Sequence, residues 1–148
     1  MDEEIIQRSF RKEDLPKILE FKNKSFSINF PGKRFNEKRF VKKLLKCAEK
    51  NPEWVQVLEK DGEIIGYIWF SLKNEGEDMY GLINHLFIDE AHRRKGFAKR
   101  LIEYAEKYLA SIGVKQMKLH VTLTNTPALK LYEKLNYKKT RILMEKEL

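Results

Sequence analysis

Hydrophobic and polar positions change period several times along the chain, and each change marks an element. Glu4 to Phe10 reads as a short strand. Asp14 can then cap a helix with Pro16 in its first turn, continued by Leu15, Ile18, Leu19 and residues 22–26. Pro31-Gly32 breaks that pattern. Phe40, Val41, Leu44, Leu45 and Ala48 next recur at helical spacing, predicting a second helix from about Asn36 to Lys50. Trp54–Glu59 and Glu63–Leu72 are strands around Lys60-Asp61-Gly62, and Asp-Gly is a strong hairpin signal. A turn over 74–78 leads to a third strand, Met79–Ile88. After Gly96 a helix buries Phe97, Leu101, Ala105, Tyr108 and Ile112 and ends at Gly113. Lys115–Val121 is a strand, Asn125–Leu135 a short helix with Pro127 early, and Tyr137 onward a terminal strand. The order β-α-α-β-β-β-α-β-α-β predicts an α+β fold. Its mixed, mostly antiparallel sheet has about six strands and is flanked by four helices.

Length and composition narrow the classes. A chain of 148 residues without repeats, low-complexity tracts or linkers reads as a single domain, 1–148. The single Cys47 supplies neither a disulfide framework nor zinc spacing, so no metal is expected and a reducing, cytoplasmic setting is. The polar opening Met1-Asp2-Glu3-Glu4 does not read as a signal peptide, and no apolar run approaches a membrane span. Charged residues make up 35% of the chain and the net charge is +8. That balance fits a basic soluble surface, a polyanionic ligand or nucleic acid alike.

One segment separates these readings. Ile88-Asp89-Glu90-Ala91-His92-Arg93-Arg94-Lys95-Gly96-Phe97-Ala98-Lys99 passes from an apolar strand through basic residues to a helix opened by glycine. The first N–H groups of a helix have no internal partner, and the helix dipole favours negative charge there. Gly96 and the small Ala98 let backbone approach a pyrophosphate closely.

Here the chain resembles the GNAT family of acetyl-CoA-dependent N-acetyltransferases. Arg93-Arg94-Lys95-Gly96-Phe97-Ala98 matches the family's Arg/Gln-x-x-Gly-x-Gly/Ala loop, between a strand and a helix. Asn125-Thr126-Pro127-Ala128-Leu129-Lys130-Leu131-Tyr132 matches its Asn-x-x-Ala-x-x-Leu-Tyr segment. The resemblance implies acetyl-CoA in a cleft where two parallel strands splay apart. Leu86, Phe87 and Ile88 would pair with the pantetheine arm as an added strand would. Arg93 and the amides from Arg94 through Lys95, Gly96, Phe97 and Ala98 to Lys99 would hold the pyrophosphate, with Asn125 and Tyr132 near the thiol. On this reading the basic loop clamps one cofactor, and no nucleic-acid partner is expected.

Acetyl transfer needs an amine that loses its proton, a polarised carbonyl and a thiolate that gains one. Tyr132 can donate to the leaving sulfur. Many members of the family carry Glu on the strand before the loop, where Asn84 stands here and cannot accept a proton. Regular alternation turns His85 to the opposite sheet face from Asn84, unless a bulge intervenes. His120, five residues before Asn125, is the candidate base, where several N-terminal protein acetyltransferases place His. The acceptor amine stays open between a protein or peptide N-terminus and a small amine. Phe26 to Phe40 interleaves aromatic and basic residues, as an aromatic lid or a nucleic-acid surface would, although helically spaced Phe is most often core. Only 12 residues follow Asn136, which leaves a more open acceptor site or one completed by a second subunit, as in a homodimer. The alternative is a non-catalytic module of this fold that binds CoA, or RNA through its basic face.

Overall fold

The computed structural model describes residues 4–148; the polar opening at Met1, Asp2 and Glu3 lies outside them. Its elements are β1 (Ile5–Ser9), α1 (Leu15–Asn29), α2 (Glu37–Lys50), β2 (Val55–Lys60), β3 (Glu63–Glu75), β4 (Asp78–Ile88), α3 (Phe97–Ser111), β5 (Met117–Leu119) and α4 (Thr126–Lys134). The sheet runs β1-β2-β3-β4-β5 in chain order, antiparallel except for the parallel β4–β5 pair. The α+β class and the four helices agree with the sequence pattern, while five strands form among the described residues.

Each sheet face carries its own core, as the strand alternation demands. On one face α1 and α2 bury Ile18, Phe21, Phe40 and Leu44 against Val55, Val57, Tyr67, Trp69 and Phe87. On the other, α3 buries Leu101, Ile102, Ala105 and Leu109 against Leu58, Ile68, Phe70, Ile83 and Ile88. Leu131, Tyr132 and Leu135 of the α4 region pack beside that second cluster. Gly81 allows the close approach of α3 and β5 to β4, because a Cβ there would run into Leu109 and Met117.

Three expectations are corrected. Asp14 stands at the start of α1, but its side chain does not cap it. The carboxylate instead accepts from Arg8 Nη1 and Nη2 at 2.8 and 2.9 Å and from the Arg11 amide at 2.7 Å. Ile112, expected in the core, follows the last turn of α3 and is 54% exposed. The terminal strand does not form: residues 138–148 make no ladder, and Ile142, Leu143 and Met144 are exposed. β5 offers a template of only three paired residues, and the apolar side chains that follow Arg141 find no face to bury against.

Candidate active site

The cleft begins where β4 and β5 part. Their pairing covers Gly81, Leu82 and Ile83 against Met117, Lys118 and Leu119, then stops, while β4 continues to Ile88. Among the described residues, 84–88 therefore have no strand on that side. The phase of β4 decides which groups face the gap. Asp89 N donates to Ile65 O at 2.7 Å, so Phe87 and Asp89 bond toward β3, while the peptide groups of Leu86 and Ile88 point outward. Of the three residues expected along a pantetheine arm, Leu86 and Ile88 sit at the open edge. Phe87 does not: its side chain stacks on Phe21 across the α1 face, 4.9 Å between centroids.

The splay coincides with a bulge. Trp69 pairs with His85 and Phe70 with Ile83, which leaves Asn84 as the extra residue. Asn84 and His85 consequently turn to the same face: Asn84 Oδ1 accepts from Ser71 Oγ at 2.7 Å, and His85 Nδ1 is hydrogen-bonded to Tyr67. Regular alternation, which would separate them, fails at this point.

His85 is closed off from the gap. It is 7% exposed, and its Nε2 is buried without a partner among the described residues. Burial first, and the Lys22 charge second, hold its pKa well below the ordinary histidine value. Burial likewise pushes the Tyr67 phenol well up, so this phenol donates to Nδ1 and the ring proton resides on Nε2. A neutral, sealed imidazole is a poor proton acceptor for substrate.

His120, by contrast, lies one residue past β5 with its side chain exposed. Asn125 caps α4, its Oδ1 accepting from the Ala128 amide at 3.4 Å, with Pro127 in the first turn. Tyr132 follows on α4 and packs edge-on against Tyr137, 5.8 Å between centroids. Burial pushes the Tyr132 phenol up to about 12. Tyr137 in turn donates to Glu106 of α3 at 2.8 Å, which fixes the end of α4.

The loop into α3 is built around backbone. Arg94 (φ 64°) and Gly96 (φ 84°) both adopt left-handed conformations, and a Cβ on Gly96 would meet nothing within 4 Å. The carbonyl of Gly96 accepts the first helical bond, from Arg100 N at 3.0 Å. No side chain caps the helix, so the amides of Phe97, Ala98 and Lys99 have no partner among the described residues. Three free donors at a helix N-terminus, with Arg94, Lys95 and Lys99 exposed around them, suit a diphosphate. Arg93 plays another part. Its Nε donates to Ile88 O at 2.9 Å and its guanidinium lies 5.1 Å from the Phe87 ring, tying the loop to the end of β4. Sequence reasoning missed this tie, and also Tyr67, Lys22 and Glu106, because each acts through a partner distant in the chain.

Between α1 and α2 the aromatic residues form a continuous run. Phe26 packs on Phe30 and Phe35 at 4.9 and 5.4 Å, Phe35 on Phe40 at 5.4 Å, and Phe40 edge-on to Trp69 at 5.7 Å. Among the described residues no group of three or more His, Cys, Asp or Glu could hold a metal ion, and no helix is long and apolar enough to cross a membrane.

Comparison with known proteins places this geometry. A model of the Acetyltransferase (GNAT) family matches residues 15–137. The uncharacterized N-acetyltransferase YycN of Bacillus subtilis is 32% identical over 90 residues, covering 61% of this chain and 56% of that protein. The catalytic subunit NAA20 of the N-terminal acetyltransferase B complex of Arabidopsis thaliana is 33% identical over 88 residues, covering 58% and 51%. The chain thus spans about half the length of these curated relatives. The crystal structure of a GCN5-related N-acetyltransferase from Ralstonia eutropha JMP134 superposes with a TM-score of 0.79 at 20% identity, over 97% of this chain and 99% of that one.

Proposed function

The chain belongs to the GNAT family of acetyltransferases, and on that premise we propose that it moves the acetyl group of acetyl-CoA directly to a primary amine within a ternary complex. The observation that carries the proposal is the open edge of β4, with Leu86 and Ile88 facing the gap, leading into the three free amides at the start of α3. Pantetheine carries two amides, which an unpaired strand edge is suited to receive. Its diphosphate end is anionic, which the helix start favours.

In the reaction the amine nitrogen bonds to the thioester carbon, the C–S bond breaks, the nitrogen loses a proton and the sulfur gains one. The outward amide of Leu86 or Ile88 polarises the carbonyl. His120, exposed at the mouth of the splay, takes the amine proton directly or through water. Tyr132 serves the sulfur. With its phenol at about 12, outright proton transfer to a thiolate of ordinary pKa ~8.5 is uphill by about 5 kcal/mol. Tyr132 is therefore a hydrogen-bond donor to the developing thiolate, and solvent completes its protonation. Asn125 positions α4, and with it Tyr132, through its cap.

Peptide N-terminal amines are the favoured acceptor class, supported by the similarity to NAA20 and by His120 in its spacing to Asn125. A cytoplasmic setting fits the unpaired Cys47, and a second copy of the chain remains part of this reading as a wall for the acceptor side. The test is thiol release from acetyl-CoA on adding peptides with free α-amines, the same peptides N-acetylated, and small polyamines. Release with the free α-amines alone is expected. No release across the panel, from protein that still binds CoA, would leave a binding module.

A further inference from the structure

Charge is distributed very unevenly over this protein. Residues 33–50 contain eight cations (Lys33, Arg34, Lys38, Arg39, Lys42, Lys43, Lys46, Lys50) against Glu37 and Glu49, a net +6 of the chain's +8. All eight are exposed, and none makes an ion pair among the described residues. Several cations elsewhere are paired, Lys17 and Lys24 with Glu20, Lys118 with Glu75, Lys99 with Glu103 and Lys139 with Glu133.

The six cations on α2 share one side. At 100° per residue Lys38, Arg39, Lys42, Lys43, Lys46 and Lys50 fall within an arc of about 140°. Phe40 and Leu44, on the opposite side, are buried against the sheet. The basic face is roughly 18 Å long at 1.5 Å per residue, and neighbouring cations one turn apart are spaced by about 5–6 Å. Its N-terminal end continues through Arg34 and Lys33 to Phe30, 45% exposed, and borders an open depression of about 620 Å³ lined by Phe35, Asn36, Glu37, Lys38, Val41 and Lys42.

We propose that this face of α2 binds a single-stranded polynucleotide, independently of the acetyl-CoA cleft. A row of unneutralised cations meets the regular charge of a phosphodiester backbone, and its affinity comes from releasing counterions. The exposed ring of Phe30 at one end provides a surface on which a base can stack. A bilayer is a poorer match, because the apolar side of α2 is committed to the core and cannot insert. An acidic protein is also a poorer match, because the basic arc has no apolar anchor at its centre.

The experiment measures fluorescence anisotropy of 20-nucleotide oligo(rU) and oligo(dT), with and without saturating CoA, from 25 to 200 mM KCl. Engagement of about five phosphates gives a slope of log affinity against log salt near −3.5. Replacing Lys42, Lys43 and Lys46 by Glu should weaken binding at least 100-fold at low salt, with the CoA affinity unchanged. The milder Lys→Gln triple variant should bring the slope to about −1.5, and it guards against misfolding of the first. Saturating CoA should leave oligonucleotide binding as it was. Preference for oligo(rU) or oligo(dT) then identifies the natural source. Displacement by CoA would transfer the site to the α3 loop and overturn the proposal. So would unchanged affinity in both triple variants, or equal affinity for polyglutamate of matched charge.

Discussion

Gly96→Ala separates two roles that one glycine combines. The residue sits at φ 84°, ψ 8° as the N-cap of α3, in a region where a side chain costs about 1–2 kcal/mol. No described residue lies within 4 Å of the added Cβ, so that backbone cost is the effect on the free protein. For a chain of this length it should lower Tm by roughly 2–8 °C. Gly113, past the other end of the same helix, has φ 90° and equally open space, so Gly113→Ala should cost the same. Cofactor binding distinguishes them. If the free amides of Phe97, Ala98 and Lys99 grip the diphosphate, displacing one hydrogen bond to a charged group costs about 1.5–3 kcal/mol. Isothermal titration should then show CoA affinity falling ~10–100-fold for Gly96→Ala and staying unchanged for Gly113→Ala. Pantetheine, which lacks the diphosphate, should bind both variants as it binds the parent. Gly96→Asn, tolerant of the left-handed backbone, should recover stability without recovering CoA affinity. Equal loss of CoA affinity in the two alanine variants, or a parallel loss for pantetheine, would refute the assignment.

Tyr132→Phe should lower turnover about 10–100-fold, the worth of a hydrogen bond to a charged sulfur. CoA affinity should hold, and equal turnover in a thiol-release assay removes the donor role. Neutral, buried His85 has its pKa below 6.5, so the unfolded chain binds the extra proton as pH falls. Its contribution is complete above pH ~6.5 and declines below; melting curves from pH 7.5 to 5.5 should slope downward for the parent and flatten for a Tyr67→Phe/His85→Phe variant. At Asp14 burial pushes the pKa up, but the Arg8 hydrogen bonds and the Arg11 amide outweigh it and hold the carboxyl below its ordinary value. Its stabilisation is therefore present above pH ~4 and lost as pH falls further. Asp14→Asn, breaking a pair with side chains only 5% and 15% exposed, should cost about 3 kcal/mol in urea unfolding at pH 7. A loss below about 1 kcal/mol would mean that Arg8 finds another partner.

Much of this architecture was legible because local chemistry and long-range pairing agree. Asp61-Gly62 turns the β2–β3 hairpin as read, and Gly96 opens α3 as read. What stayed hidden depends on pairs. The face of His85 is decided by where β3 forces an extra residue into β4, which alternation within β4 cannot reveal. Asp14 reads as a cap from its neighbours, yet its partner Arg8 arrives from β1. Arg93 reads as a phosphate ligand by its motif, while the carbonyl of Ile88 holds its side chain. The terminal strand had the right composition and no template to bind.

The bulge at Asn84 divides β4 into two reading frames. Before it, Gly81 to Ile83 hold β5 and secure the sheet; after it, Leu86 and Ile88 offer their peptide groups to the gap. Because Phe70 pairs with Ile83 and Trp69 with His85 on either side of the extra residue, deleting Asn84 would close the ladder and leave every downstream face as it is: Phe87 stays in the α1 core, and Leu86 and Ile88 keep their peptide groups away from β3. What the deletion removes is the second polar side chain on the face of His85, with its bond from Ser71, and the local twist at the point where β5 parts from β4. The extra residue thus serves the splay of β4 from β5 and not the register of the strand.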